Sequence, residues 1–276
     1  MAAAAVRAAA AVEAAGVAVA DRGAGPIMSV AGFISPDWHA PRRVRAYSSL
    51  RSGGVSAAPW SSFNLAHHVG DDAKAVATNR ASLARQLSLP AEPAWLDQVH
   101  GRLAVASDSV GVGCQADASW TDRPGSVCVV MTADCLPVLF CDDDGRCVAA
   151  AHAGWRGLAD GILESTIASL PASPDRLMAW LGPAIGPTAF EVGPEVRERF
   201  VTDDVRAAPA FTPSVRPGHF MADLYALARL RLRHSGVERI GGGDRCTVSE
   251  PEHFYSYRRD GRCGRMASLI WLDADL

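Results

Sequence analysis

The sequence lacks any apolar run of the roughly 20 residues that span a bilayer. It also lacks a CxxC pair, and its seven cysteines are an odd number, which argues against a disulfide scaffold in a chain of 276 residues. The formal net charge is only −3, from 27 basic and 30 acidic residues, so nothing calls for a nucleic-acid partner. These absences predict a cytoplasmic protein with reduced thiols and no membrane association. The sequence carries no signal for a particular oligomeric state.

The alanine-rich N-terminus resembles a secretory signal only superficially. Glu13 interrupts its apolar stretch, and no basic segment opens it. We expect a flexible extension over residues 1–40, followed by one catalytic domain over residues 41–276. With 49% hydrophobic residues, a domain of that length can bury a substantial core.

Short β-rich runs, separated by turn residues, alternate irregularly with amphipathic segments. The predicted strands are Ala94–Val99 paired as a hairpin with Leu103–Ala106, then Val127–Met131, Val138–Cys141, Cys147–Ala151, Leu177–Leu181 and Met266–Leu272. The predicted helices are Ala73–Leu87, one that follows Gly154–Gly157 and runs to about Leu170, Pro194–Phe200, and one that Asp223 caps and that runs to His234. The absence of a regular βαβ rhythm favours an α+β fold with a mixed or mainly antiparallel sheet.

Three segments place a reactive side chain directly after a predicted strand: His100, Cys135 and His152. Strand ends and the loops after them are where a rigid sheet presents functional groups. Imidazole nitrogen and thiolate sulfur together suit Zn²⁺, and also copper. Three protein ligands leave a fourth coordination position for water, whose pKa falls to about 7 on zinc.

The same side chains also fit a cysteine hydrolase. Cys135 would then be the nucleophile, with His152 or His100 as its base and Asp134 nearby. Because the three residues lie far apart in the sequence, spacing alone does not bring them together. It therefore separates the two interpretations poorly.

A series of short motifs extends from about residue 48 to residue 272. They include Ser62–Asp71, Asn79-Arg80, Trp95–Gly101, Ala116–Ala118, Met131–Pro137, Ala151–Gly157, Leu181–Gly186, Phe190–Gly193, Phe254–Arg259 and Gly264–Ser268. In this order the motifs resemble the laccase-domain family, also called the polyphenol-oxidase-like or peptidoglycan-editing-factor family. One departure is His67, which stands beside His68 where a small residue is expected; His68 is the better match to the family histidine.

The resemblance implies a fold and an activity. The fold is a single domain of layered mixed β-sheets and helices, an αββα-type sandwich, with a zinc-binding pocket of His100, Cys135 and His152. The activity is a purine nucleoside phosphorylase that cleaves adenosine, inosine and 5′-methylthioadenosine with phosphate, together with adenosine deamination. Copper could replace zinc and give slow polyphenol oxidation, but eight histidines without a His-x-His pair cannot easily build a multicopper oxidase.

Two readings from other classes stay open. One is an editing hydrolase that acts on a peptidoglycan precursor, and the other is a non-enzymatic, metal-binding partner of a cell-division or wall-synthesis protein. They differ in turnover: only the hydrolase cleaves such a precursor.

Further site residues follow from what the proposed chemistry needs. His68 and Asp134 are candidates to move protons, on position alone. The guanidinium fork matches phosphate geometry, so the phosphate-binding candidates are Arg51, Arg156, Arg258 and Arg259. Tyr257 is a candidate to stack on a purine, as are Phe63, Trp155, Phe254 and Tyr255, although most such aromatic side chains belong to a core.

Overall fold

The computed structural model describes residues 32–274 and contains thirteen strands and six α-helices in that range. The strands are β1 (Phe33–Ile34), β2 (Val44–Ser49), β3 (Ala104–Ala106), β4 (Ala118–Thr121), β5 (Val127–Thr132), β6 (Leu136–Asp142), β7 (Val148–Ala153), β8 (Leu177–Leu181), β9 (Glu191–Val192), β10 (Phe211–Pro213), β11 (Phe220–Ala222), β12 (Arg239–Gly242) and β13 (Met266–Leu272). The helices are α1 (Ala73–Leu87), α2 (Trp155–Asp160), α3 (Ile162–Ser169), α4 (Pro194–Asp203), α5 (Leu224–His234) and α6 (Tyr257–Asp260). None of the helices in this range is long and apolar enough to cross a membrane.

Two sheets form the centre of the molecule. The larger has the order β12-β8-β6-β7-β4-β3, with parallel pairing at its two edges and antiparallel pairing between. The smaller has the order β1-β2-β13-β5 and is antiparallel throughout. A third, three-stranded sheet has the order β10-β11-β9. The sheets are therefore mixed, as the sequence predicts.

The two main sheets pack face to face, because their strands are apolar on both sides. Along β13, Ile270 faces the larger sheet, whereas Leu269 and Trp271 face α1. Along β6, Leu139 faces the smaller sheet, whereas Phe140 packs into the cluster that contains α2, α3 and α5. The layers are helix, sheet, sheet, helix in one domain. This confirms the expected α+β class and the αββα-type sandwich.

Two predicted elements around residues 94–106 are wrong. Ala94 and Asp97 make only isolated bridges, because the Gln98 side-chain amide takes the place of a strand partner. It donates to the Met131 carbonyl at 2.8 Å and accepts from the Met131 N–H at 2.7 Å. The expected hairpin does not form either, since β3 pairs in parallel with β4.

A third difference lies after Gly154, where the single predicted helix is two. Gly161 has φ 96°, a left-handed conformation that ends α2 and precedes α3. The domain also starts earlier than residue 41. Phe33 pairs with Ser49 and is buried in the core, so the part of the proposed extension that the structure describes belongs to the domain. The proposed flexibility of residues 1–31 lies outside the described residues.

Asn79 anchors α1 to the loop before it. Its side chain is buried and accepts from the N–H of Val55 at 2.9 Å. Its Nδ2 lies 2.9 Å from Ser56 Oγ, 3.2 Å from the Ser62 carbonyl and 2.9 Å from the Asn64 carbonyl. The Asn79 side chain therefore ties α1 to four polar groups of the loop that precedes it.

Replacing Asn79 by Ala should lower the free energy of unfolding by about 2–4 kcal/mol, because several buried polar groups lose their partner at once. Urea denaturation followed by circular dichroism measures this. Thr78→Ala is the matched control, since Thr78 is the exposed neighbour on the same helix, and its effect should stay within about 0.5 kcal/mol. Equal effects of both substitutions would contradict the assigned role of Asn79.

Candidate metal centre and cavity

Strand register brings Cys135 and His152 together. His152 is the fifth of six residues of β7 and lies opposite Pro137 of β6. Cys135 directly precedes β6, so the antiparallel ladder places it at the same end as His152. Two residues separated by seventeen positions thus become neighbours through sheet pairing.

Asp117 lies on the other side of His152. It precedes β4, whose first residue Ala118 lies opposite Ala151 of β7. The His152 N–H donates to the Asp117 carbonyl at 2.7 Å, and His152 Nδ1 lies 2.8 Å from Asp117 Oδ1. Because a carboxylate only accepts, Nδ1 of His152 carries a proton, and Nε2 is the ring nitrogen left for a metal ion.

The same carboxylate holds the loop that carries His100. Asp117 accepts from three consecutive main-chain N–H groups, those of Val99 at 3.2 Å, His100 at 2.9 Å and Gly101 at 2.7 Å. His100 has φ 59°, which is uncommon for a residue other than glycine. The three hydrogen bonds stabilise this turn and aim the His100 ring at the site.

The three predicted ligands converge. One donor atom from each of His100, Cys135 and His152 lies within 4.8 Å of the others. His100 Nε2 is 3.8 Å from Cys135 Sγ. A tetrahedral Zn²⁺ with bonds of about 2.0 Å to nitrogen and 2.3 Å to sulfur would separate these atoms by roughly 3.5 Å. The donor set and the spacing of this nitrogen and sulfur therefore suit a zinc-sized ion.

The local charges favour the metal-binding protonation state of the thiol. Burial raises the pKa of Cys135, but the charge of His152 and a hydrogen bond from His100 outweigh it, and the net pKa is lowered. Burial also raises the pKa of Asp117, and the hydrogen bond from His152 and those from the main chain reverse this. The thiolate form of Cys135 is the form that binds a metal ion.

Two glycines allow the close packing. A Cβ on Gly154 would lie 3.0 Å from the His100 ring and 3.1 Å from Cys135 Sγ. A Cβ on Gly157 would lie 2.7 Å from the Gly101 carbonyl. Any larger residue at these positions would therefore push the His100 loop and Cys135 away from the metal-binding arrangement.

The three residues open into a cavity of about 420 Å³, here called the main cavity. This volume is in the range of small-molecule sites. Its apolar wall includes Trp155, Ile185, Phe190 and Leu224, and its polar lining includes His68, Gln98, Asp134, Arg156, Tyr257, Arg258 and Arg265. The described fold therefore places six of the predicted site residues in the lining of one cavity: His68, Asp134, Cys135, Arg156, Tyr257 and Arg258.

Two of the predicted phosphate-binding arginines lie elsewhere. The Arg51 guanidinium donates to the carbonyls of Ser61 and Pro251. Arg259 donates to main-chain carbonyls at Thr247 and Phe254. Neither lines the main cavity, so their position does not support phosphate binding there. Their main-chain acceptors lie far from them in sequence or within loops, and periodicity gives no sign of them.

Asp134 lines the main cavity but has both carboxylate oxygens occupied. Thr247 donates its hydroxyl to Oδ1 at 2.6 Å, and the N–H of Arg258 donates to Oδ2 at 2.6 Å. The residue also has φ 86° directly before Cys135. Asp134 thus ties the Cys135 turn to the segment that carries Arg258, which is a positioning role.

The aromatic candidates divide clearly. Phe63, Phe254 and Tyr255 are at most 2% exposed and belong to the core. Tyr257 is 61% exposed at the edge of the main cavity, and Trp155 lies in its wall under the Arg156 guanidinium, at 4.4 Å from the ring centroid. Tyr257 and Trp155 are thus the two that could contact a ring-shaped ligand.

Sequence reasoning gave no role to Asp117, Gln98 or Arg265, although all three lie in the motifs. Asp117 carries the one usable signal: it is an acidic residue between two alanines at the start of a buried strand, and such a carboxylate needs partners. Which partners it has depends on strand register.

Comparison with known families gives a match over nearly the whole domain. Residues 45–273 match the family model described as multi-copper polyphenol oxidoreductase laccase. A purine nucleoside phosphorylase of Pseudomonas aeruginosa is 57% identical over 240 residues, which is 87% of this chain and 98% of the relative. The Escherichia coli purine nucleoside phosphorylase YfiH is 53% identical over 242 residues, with the same shares covered.

Solved structures share the fold. The crystal structure of a Neisseria meningitidis protein superposes with a TM-score of 0.85 at 51% identity, and covers 88% of this chain and 100% of its own. The architecture described above is therefore that of its relatives.

Replacing Asp117 by Asn should weaken Zn²⁺ binding about 10- to 100-fold, which is the usual effect of losing the partner of a metal-binding histidine. An amide has only one oxygen, so at least one N–H of the 99–101 segment would face its NH₂ group. Competition with a coloured chelator measures the affinity. Asp122→Asn, at an exposed position beyond the same strand, is the control. Unchanged affinity in the Asp117 variant would remove Asp117 from the site.

Proposed function

The chain belongs to the multi-copper polyphenol oxidoreductase laccase family, and we propose that within it this chain is a zinc-dependent purine nucleoside phosphorylase with adenosine deaminase activity. The observation that carries the proposal is one cavity that combines an open His100, Cys135, His152 donor set with cationic side chains. The substrates would be adenosine, inosine or 5′-methylthioadenosine together with phosphate. The names of the P. aeruginosa and E. coli relatives support the phosphorylase part.

Zinc is the proposed metal, with copper as the alternative. His100, Cys135 and His152 would hold it, and the ion would supply Lewis-acid polarisation and an activated water at its fourth position. Thiolate and imidazole in a tetrahedral arrangement support zinc. Only three histidine or cysteine donors converge in the described residues, which makes a multicopper oxidase the weakest alternative.

Phosphorolysis needs donors for phosphate and a surface for the purine. The main cavity presents Arg156 and Arg258, and neither forms an ion pair with a carboxylate within residues 32–274. A guanidinium group without a carboxylate partner can bind phosphate oxygens. A phosphate oxygen then attacks C1′ of the ribose, and the purine leaves. Trp155 and Tyr257 offer the aromatic surface.

Deamination needs a base that is neutral near pH 7. Burial lowers the pKa of His68, and the charge of Arg265 lowers it further, so its imidazole is neutral and can accept a proton from water. Asp134 suits this task less, because both of its oxygens already accept hydrogen bonds. His68 is therefore our choice for proton transfer when the amino group at C6 is replaced.

A cysteine hydrolase that edits a cell-wall precursor is the second candidate. The observation in its favour is the order Cys135, His152, Asp117, which resembles a nucleophile, its base and the residue that orients the base. The lowered pKa of Cys135 also suits a nucleophile. The two proposals differ in whether a metal is needed.

His152→Ala should abolish turnover of adenosine, with a loss of at least about 100-fold, because it removes a metal ligand. The assay incubates purified, metal-analysed protein with adenosine, with and without phosphate, and follows adenine and inosine by chromatography. His219→Ala is the control, since His219 lies outside the cavity lining. Adenine that appears only with phosphate supports the phosphorylase, and inosine without phosphate supports the deaminase. A zinc-loaded wild type that forms neither product would overturn the proposal.

Metal removal separates the two candidate functions. A phosphorylase and deaminase that depend on zinc should lose activity on dialysis against a chelator and regain it with Zn²⁺. A cysteine hydrolase should cleave a precursor that carries the wrong amino acid without metal, and lose that activity in Cys135→Ser. Cleavage of the precursor by metal-free protein, with no action on adenosine after zinc is restored, would favour the hydrolase.

A further inference from the structure

A second cavity, of about 540 Å³, adjoins the main cavity and is called the side cavity here. His68 and Met131 line both, so they form the boundary between the two. The side cavity is also lined by Arg80 and Trp95, and Arg80 belongs to the Asn79-Arg80 motif. The proposed phosphorylase chemistry gives Arg80 no role.

Arg80 is a fixed, half-buried cation without a carboxylate partner. Its Nε donates to the Leu65 carbonyl at 2.9 Å, and its guanidinium carbon lies 3.7 Å from the centre of the Trp95 ring. These contacts hold the group flat and leave Nη1 without a hydrogen bond among the described residues. Arg80 forms no ion pair there either, and burial lowers its pKa to about 10. A partly buried cation that has no ion-pair partner favours an anion beside it.

Arg265 provides a second cation near His68. It lines the main cavity, and its charge lowers the pKa of His68, as does that of Arg80. Its Nη1 donates to the carbonyls of Cys263 and Gly264, both at 3.0 Å, and it too has no ion pair within residues 32–274. His68 is therefore within the electrostatic reach of two guanidinium groups, one lining each cavity.

We propose that Arg80, His68 and Arg265 form a binding site for a phosphate group at the junction of the two cavities. Two guanidinium groups and a neutral imidazole offer several N–H donors. A tetrahedral phosphate group can accept hydrogen bonds from more of these donors than a carboxylate can. Neither Arg156 nor Arg258 lines the side cavity, so this site is additional to them.

Two acidic residues face the same cavity and do not cancel its charge. Asp97 and Glu92 are exposed, and one Glu92 oxygen accepts from Trp95 Nε1 at 2.6 Å. Solvent screens exposed carboxylates more strongly than it screens the half-buried guanidinium group. The junction that His68 lines, rather than the wall that carries Glu92 and Asp97, is therefore the part of the two cavities that suits an anion.

The phosphate group could come from inorganic phosphate or from a phosphate monoester such as a nucleoside 5′-monophosphate. This part rests on the proposed function, because a purine nucleoside in the main cavity would place either group near His68. The test therefore uses inorganic phosphate, adenosine 5′-monophosphate and adenosine as separate probes.

The experiment measures binding of each probe to the metal-loaded protein by calorimetry, at constant ionic strength set with chloride. We expect Arg80→Met to weaken binding of the phosphate-containing probe about tenfold or more, and adenosine binding to change little. The affinity of Arg80→Lys for this probe should lie between those of the wild type and Arg80→Met, because lysine keeps the charge but loses the forked donor geometry. Arg85→Met is the matched control: Arg85 is an exposed arginine on the same helix and lines neither cavity.

The outcomes are distinct. Loss of inorganic phosphate binding in Arg80→Met supports a site for free phosphate, and selective loss of the monophosphate supports a nucleotide site. If Arg80→Met does not fold, the affinities of Arg80→Lys and the wild type for the two phosphate probes are compared instead. A wild type that binds neither phosphate probe more tightly than chloride, or variants of Arg80 that behave like Arg85→Met, would overturn the proposal. If phosphate binding depends on Arg80 but the protein forms no adenine, the phosphate site is supported and the phosphorylase proposal is rejected.

Discussion

The carboxylate of Asp117 is the interaction on which the site depends. It is fully buried, and its two oxygens accept from His152 Nδ1 and from three consecutive main-chain N–H groups around His100. One ionised group thus fixes the tautomer of one metal-binding histidine and the backbone of the other. Four donors offset the cost of burying its charge, which would otherwise be several kcal/mol. Loss of the Asp117 carboxylate would therefore disturb His100 and His152 together.

The sandwich supplies the rigidity that this arrangement needs. Both central sheets are apolar on their two faces, so the ends of β6 and β7 cannot shift without opening a core on each side. Cys135 and His152 lie at those ends, and Gly154 and Gly157 let the His100 loop approach them closely. The site therefore combines two side chains placed by strand pairing with one placed by a hydrogen-bonded turn.

Charge is distributed unevenly over the surface and the cavities. Arginines such as Arg176, Arg199 and Arg245 form ion pairs with carboxylates at the surface. The arginines that line the two cavities, Arg80, Arg156, Arg258 and Arg265, form none in the described part of the chain. This contrast supports an anionic ligand, and the convergent thiolate and imidazoles support a metal beside it. The same thiolate could act as a nucleophile, which is why metal dependence is the property that separates the two candidate functions.

The sequence determined the strands from residue 127 to 153, the helices at Ala73–Leu87 and Leu224–His234, and the identity of His100, Cys135 and His152 as one group, through the motif series. These are local or collinear signals: periodicity, capping and ordered motifs. Only the tertiary structure decided that Asp117 joins two histidines, that Gln98 replaces a strand, that Arg51 and Arg259 lie outside the cavity, and that Arg80 remains without a carboxylate partner. Each of these depends on strand register or on a contact between distant segments, and a side chain's partners across a sheet are not encoded by its neighbours in sequence.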